Sequence, residues 1–256
     1  MLFSQIANYY HWLVDALPLA EYLNNLSPNT KLVIPSGLPA QEASLALMGS
    51  TSDRVEYISP HENVSVDELY VFSDRTFSIV GNSVSISSSA SWLVATSYPS
   101  LRGRRFVRNT MRKALCLEVN GSGSGLVYSV REDSPRTLGN EAELRSMLET
   151  LGFRTIHPAR LSYRDQVSTF SEARVVVGQH GANLASILFS DPGTRVIEIF
   201  VPGSWMLHNC YLELCRGNAM RYFRYLAAED RTIAVEQFRG FVLDAMMQES
   251  ADDGAD

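Results

Sequence analysis

The residues of this 256-residue chain that could do chemistry gather at a few points. In RVVVGQHGANLASILF (Arg174 to Phe189) a β-branched run stops at Gly178, and a helix-compatible run starts beyond His180 and Gly181. That order reads as a strand, a tight turn and the amino end of a helix. Unpaired backbone N–H groups and the positive helix end make such a junction an anion site, and Gly181 with Ala182 lets a phosphate approach the backbone closely. His180 can donate to a phosphate oxygen, and Asn183 can bond to ligand or backbone. Many parallel βα units have such a turn and hold nothing, so the turn alone leaves both readings open. In a parallel sheet the ligand crevice lies beyond the carboxyl ends of the strands. Gln179, His180 and Arg131, which directly follows LVYSV (Leu126 to Val130), all emerge there.

Two carboxylates draw attention for different reasons. Glu198 stands among Val196, Ile197, Ile199 and Phe200, where a buried carboxylate needs partners. Two ribose hydroxyls would satisfy it, and a structural salt bridge would do so equally well. His11 and Asp15, four residues apart, share one side of a helix. Such a pair suits general-base work, with the carboxylate as base or as support for the imidazole. The plainer alternative is an ordinary i,i+4 pair worth a few tenths of a kcal/mol.

These residues need an α/β frame to hold them. Tyr10, Leu13, Val14 and Leu17 follow helical spacing, with a break or kink at Pro18. Short apolar runs at 32–35, 55–58 and 69–72 fit buried strands, with a helix near 40–48 between the first two. A Ser-rich stretch, Ser83 to Ser91, and NGSGSG (Asn120 to Gly125) have loop or linker composition. Beyond them the rhythm is strand 126–130, helix 140–151, strand 153–156, helix 164–172, strand 174–178, a helix from Gly181 and strand 195–200. A helix near 207–215, strand 222–226 and helix 235–247 follow. Strands alternating with helices imply βαβ units and a parallel sheet. The expected division is an amino-terminal α/β lobe over 1–103, a linker over 104–124, a Rossmann-like lobe over 125–232, a helix over 233–248 and a disordered acidic tail over 249–256.

Composition narrows the function classes. A net charge of −6 argues against a nucleic-acid partner, because backbone affinity comes from concentrated Lys and Arg. The basic run Arg102, Arg104, Arg105, Arg108, Arg112 and Lys113 reads as a solvated helix or linker face, with peripheral contact to an anionic membrane as the alternative. Three cysteines, Cys116, Cys210 and Cys215, cannot all pair within the chain, which fits a reducing compartment. The first residues lack a basic n-region and are interrupted by His11, Asp15 and Glu21, unlike a signal peptide or a span. The expected location is therefore cytoplasmic, with peripheral contact at an inner membrane left open. GSGSG precedes a strand, whereas a dinucleotide fingerprint follows one. No zinc spacing, G-x-S-x-G elbow or Asp-x-Asp is present, so no metal ligands are assigned.

Taken together, NYYHWLVDALP (Asn8 to Pro18), VYSVREDSPRTLGNEAELRSMLETLGF (Val127 to Phe153) and VVVGQHGANLASILFSDPGTRVIEIF (Val175 to Phe200) resemble the motifs of family-61 glycosyltransferases. The likeness is to bacterial-type members of capsular and cell-surface polysaccharide synthesis. It implies two Rossmann-like lobes of GT-B type, with a short or truncated amino-terminal lobe on the acceptor side. It also implies an inverting, metal-independent transfer from a nucleotide-sugar co-substrate, with no further cofactor, to a glycan or glycolipid. Carried over by position, Arg131, Arg136, Gln166 and the turn His180, Gly181, Ala182 and Asn183 hold the donor diphosphate side. Glu198 holds the ribose, and Asp15 with His11 serves the acceptor. The competing class is a non-catalytic nucleotide- or glycan-binding relative acting as an assembly subunit, and a homo-oligomer is compatible with either. A nucleotide-dependent epimerase on a doubly wound fold is a third class.

Overall fold

The computed structural model describes residues 8–23, 25–50, 52–59, 65, 75–78, 96–99, 101–117, 123–131, 137–201 and 209–248. The runs 69–72 and 83–91, most of 118–125, Arg136 and the tail 249–256 therefore lie outside the described residues.

Five strands form one parallel sheet: β5 (Gly125–Ser129), β6 (Arg154–Ile156), β7 (Ala173–Gln179), β8 (Arg195–Phe200) and β9 (Arg221–Leu226), in the order β6-β5-β7-β8-β9. Counted from β5 this is the 2-1-3-4-5 order of flavodoxin-like doubly wound sheets, whose direction of winding reverses between the first and third strands. The reversal falls between β5 and β7. The alternation of side chains in β7 explains why both faces are covered. Val175 and Val177 enter one core with α5 (Glu141–Thr150) and α8 (Val235–Met247). Val176 enters the other, with α4 (Leu101–Ala114), α6 (Tyr163–Ser171) and α7 (Cys210–Gly217).

The amino-terminal helical stretch belongs to that second core. It runs as α1 (Tyr9–His11), a π-helical turn (Trp12–Ala16), a 3-10 turn (Leu17–Leu19) and α2 (Ala20–Leu23). Pro18 has no N–H to give, so the regular ladder cannot continue through it. The Leu17 N–H reaches back five residues to the Trp12 carbonyl instead. Trp12, Leu13 and Leu17 are fully buried, and the Trp12 indole N–H donates to Ser44 Oγ at 3.0 Å. Ser44 lies on α3 (Ala40–Leu47), which connects β1 (Leu32–Pro35) to its parallel partner β2 (Val55–Ile58). An antiparallel pair, β3 (Arg75–Ser78) and β4 (Thr96–Pro99), has no counterpart in the sequence reading.

The basic run overturns its expected surface role. Arg104, Arg108 and Arg112 recur every fourth residue of α4, so they share its inward face and are buried. Arg112 Nη1 lies 2.8 Å and Arg108 Nη2 3.2 Å from Asp191 Oδ1, and Arg104 donates to the Glu213 carbonyl at 2.9 Å. Arg102 and Arg105 remain exposed, and Arg102 pairs with Glu21. Among the described residues no helix is long and apolar enough to cross a membrane.

Candidate functional site

Strand β5 ends at Ser129 and β7 at Gln179, so the winding reversal brings Arg131 beside the turn His180–Asn183. The Arg131 guanidinium donates to the His180 carbonyl at 2.8 Å. Gly181 is what permits this: a Cβ there would lie 2.1 Å from Arg131 Nη1 and 2.9 Å from Asn183 Oδ1. Gly178 has a different task, since a Cβ there would lie 2.6 Å from Leu184 Cδ2 and crowd that buried side chain.

The following helix, Ala182–Phe189, is a 3-10 helix. Its first internal bond runs from the Leu184 N–H to the Gly181 carbonyl at 3.0 Å. Among the described residues nothing accepts from the N–H groups of Gly181, Ala182 and Asn183. Leu184, Ile187, Leu188 and Phe189 are fully buried, each contributing on the order of 1.5–3 kcal/mol, which anchors the half-buried amino end. Asn183 closes the junction. Its Nδ2 donates to the Ser129 carbonyl at 3.1 Å, and Ser129 Oγ returns a bond to the Asn183 carbonyl at 3.1 Å. Asn183 Oδ1 is left buried without a partner, an acceptor that a ligand hydroxyl would satisfy. Three open N–H groups, a guanidinium and an imidazole at one helix end can hold a diphosphate.

His180 is fixed from several sides. Its N–H donates to the Ile199 carbonyl at 2.8 Å, its ring stacks on Phe200 at 4.7 Å, and Nδ1 bonds to Glu198 Oε1. Glu198 is fully buried, and its other oxygen accepts from the Tyr222 hydroxyl at 2.5 Å. Both Glu198 oxygens are engaged inside the protein, by His180 and Tyr222, so a ribose contact would share an oxygen that is already bonded. Gln166, expected on the donor side, is engaged within the protein in this structure. It is buried on α6, with Nε2 donating to the Leu161 carbonyl at 3.3 Å and Oε1 accepting from Ser186 at 3.3 Å.

The amino-terminal pair lies close to this turn through the same core. His11 Nδ1 and Asp15 Oδ2 are 2.6 Å apart, as the four-residue spacing predicts. The Tyr10 ring meets the His11 ring at 5.5 Å and the Tyr211 ring at 5.5 Å, and Tyr211 meets His180 at 5.7 Å. The Tyr211 hydroxyl donates to the Gly181 carbonyl at 2.6 Å, and the Tyr9 hydroxyl meets Ser186 Oγ at 3.1 Å. These tyrosines join the first motif to the turn. Burial pushes the phenol groups of Tyr9 and Tyr211 above their ordinary range, so both stay protonated.

Residues 9–197 match the family model described as Glycosyltransferase 61. The chain belongs to that family. No curated protein matches it. Family 61 membership makes the chain a glycosyltransferase, with a sugar donor and a glycan acceptor in general terms, and the match covers both the His11–Asp15 pair and the turn. It stops one residue short of Glu198 and excludes β9. Sequence reading missed Tyr10, Tyr211, Tyr222 and Arg224. Tyr10 meets Tyr211, Tyr211 meets the turn and Tyr222 meets Glu198 across long stretches of chain, and Arg224 enters through Tyr222. The cysteines are unpaired, and Cys210, whose thiol is pushed up to about 12 by burial and then by the Glu198 charge, is no nucleophile at neutral pH.

Proposed function

We propose that this family-61 member is an inverting glycosyltransferase. It moves a sugar from a nucleoside diphosphate donor to a hydroxyl of a glycan or glycolipid, in bacterial-type cell-surface polysaccharide synthesis. The observation that carries the reading is the helix end at the winding reversal, where open N–H groups and Arg131 converge. In this reading residues 1–103 serve the acceptor side, residues 125–232 hold the donor, and the two form a GT-B pair. Arg136 joins the donor side through the resemblance of its segment.

The reaction is a single displacement. Asp15, oriented by His11, takes the proton of the acceptor hydroxyl. The hydroxyl oxygen forms a bond to the anomeric carbon as the bond from that carbon to the phosphate oxygen breaks. The nucleoside diphosphate leaves with the electron pair. Negative charge grows on its oxygens, where N–H dipoles and Arg131 are already oriented and need no rearrangement. The partial exposure of the His11 side chain and the low but finite exposure of Asp15 support access to a substrate.

Single-turnover nucleotide release with wild type and Asp15→Asn tests this. The variant retains donor binding and loses transfer. Equal rates would remove Asp15 from the base role.

A further inference from the structure

His180 is held by a chain of contacts that reaches two strands away. In register, Glu198 on β8 pairs with Arg224 on β9, and Tyr222 stands two residues earlier on the same face of β9. Arg224 Nε donates to the Tyr222 hydroxyl at 3.0 Å, the hydroxyl donates to Glu198 Oε2 at 2.5 Å, and Glu198 Oε1 engages His180 Nδ1. Arg224 is itself fixed, with Nη2 donating to Asn209 Oδ1 at 3.0 Å and Cζ 4.5 Å over the Phe200 ring. Phe200 thus carries both the guanidinium and the imidazole.

We infer that Tyr222 and Arg224 are positioning residues that act through Glu198 to set the tautomer and orientation of His180, and with them the affinity of the turn for the donor diphosphate. A fully buried carboxylate with one oxygen unsatisfied would rotate or admit water. With Tyr222 on Oε2, Oε1 is the acceptor presented to the ring, and Nδ1 is the nitrogen that must carry a proton. Tyr222 holds its proton because burial, and then the Glu198 charge, push its phenol far above the ordinary range. Arg224 orients that phenol, so the guanidinium and phenol donate toward Glu198 from one side and the imidazole N–H from the other. The inference rests on the donor reading for its binding consequence, while the tautomer is a property of the free protein.

Two readouts on the full chain test it. Long-range nitrogen–proton NMR of the ligand-free protein shows which His180 nitrogen is protonated. Wild type gives a protonated Nδ1, whereas Tyr222→Phe gives a mixture of tautomers. Calorimetry with UDP, GDP and CDP as probes shows the affinity of whichever nucleotide binds falling about tenfold in Tyr222→Phe, the size of one hydrogen bond weakened when His180 is no longer held in place. Arg224→Met, at a partly exposed site, shifts both readouts in the same direction by less. A wild-type tautomer pattern in both Tyr222→Phe and Arg224→Met overturns the inference, as does a wild-type affinity in Tyr222→Phe alongside an altered tautomer. If no nucleotide binds wild type, the donor reading fails, and the NMR arm still decides whether the chain positions His180.

Discussion

Two His–carboxylate pairs of this molecule are built from the same groups in different ways. His11 and Asp15 are four residues apart on one helical stretch, and their side chains are 38% and 13% exposed. His180 directly follows β7 and Glu198 lies within the neighbouring β8, and their side chains are 15% and 0% exposed. A carboxylate reached by solvent can accept a proton from a bound hydroxyl. One buried with both oxygens occupied can only hold its neighbours in place. The first pair is therefore suited to exchange a proton and the second to keep a ring still beside an anion site.

The comparison breaks most visibly at Asp15. Asp15→Asn should lower turnover by about 10²–10⁴-fold with donor affinity unchanged, the range for loss of a general base. A matching loss of affinity would mean that this pair also holds the donor. Stability should follow the opposite order. Glu198→Ala strands His180 and Tyr222 in the interior and should cost about 3–5 kcal/mol in a urea titration, whereas Asp15→Ala should cost about 1 kcal/mol or less. Similar costs would erase the distinction between the two pairs. Gly181→Ala sharpens the role of the second region. Its Cβ displaces the Arg131 guanidinium, so donor affinity should fall by roughly tenfold, and combination with Arg131→Ala should add little because both remove one interaction. The smallest effect concerns Cys210. Burial and the Glu198 charge both favour its neutral thiol, so below about 12 it stays protonated. Glu198→Gln removes the second cause, and alkylation of Cys210 at alkaline pH should quicken slightly, while Asp15→Asn leaves it unchanged.

What the sequence disclosed follows the range of the interactions concerned. The strands β5, β7 and β8 were legible because each is a short β-branched or apolar run with a boundary residue, and the turn at His180 because Gly178 and Gly181 bracket it. The His11–Asp15 pair was legible because its contact is local. Arg104, Arg108 and Arg112 were misread as solvated, since the Asp191 carboxylate that two of them meet lies about eighty residues away and charge runs ordinarily face water. The commitment of Glu198 to His180 depends on Tyr222, which becomes its neighbour only when β9 pairs with β8.

The most direct test of the account is calorimetric titration of the wild-type chain and Arg131→Ala with a panel of UDP-, GDP- and CMP-sugars. The account predicts that a nucleoside diphosphate sugar binds wild type and is weakened about 10–100-fold in Arg131→Ala, as loss of a charged hydrogen-bonding contact requires. Binding of no donor, or equal affinity in the two proteins, would contradict it.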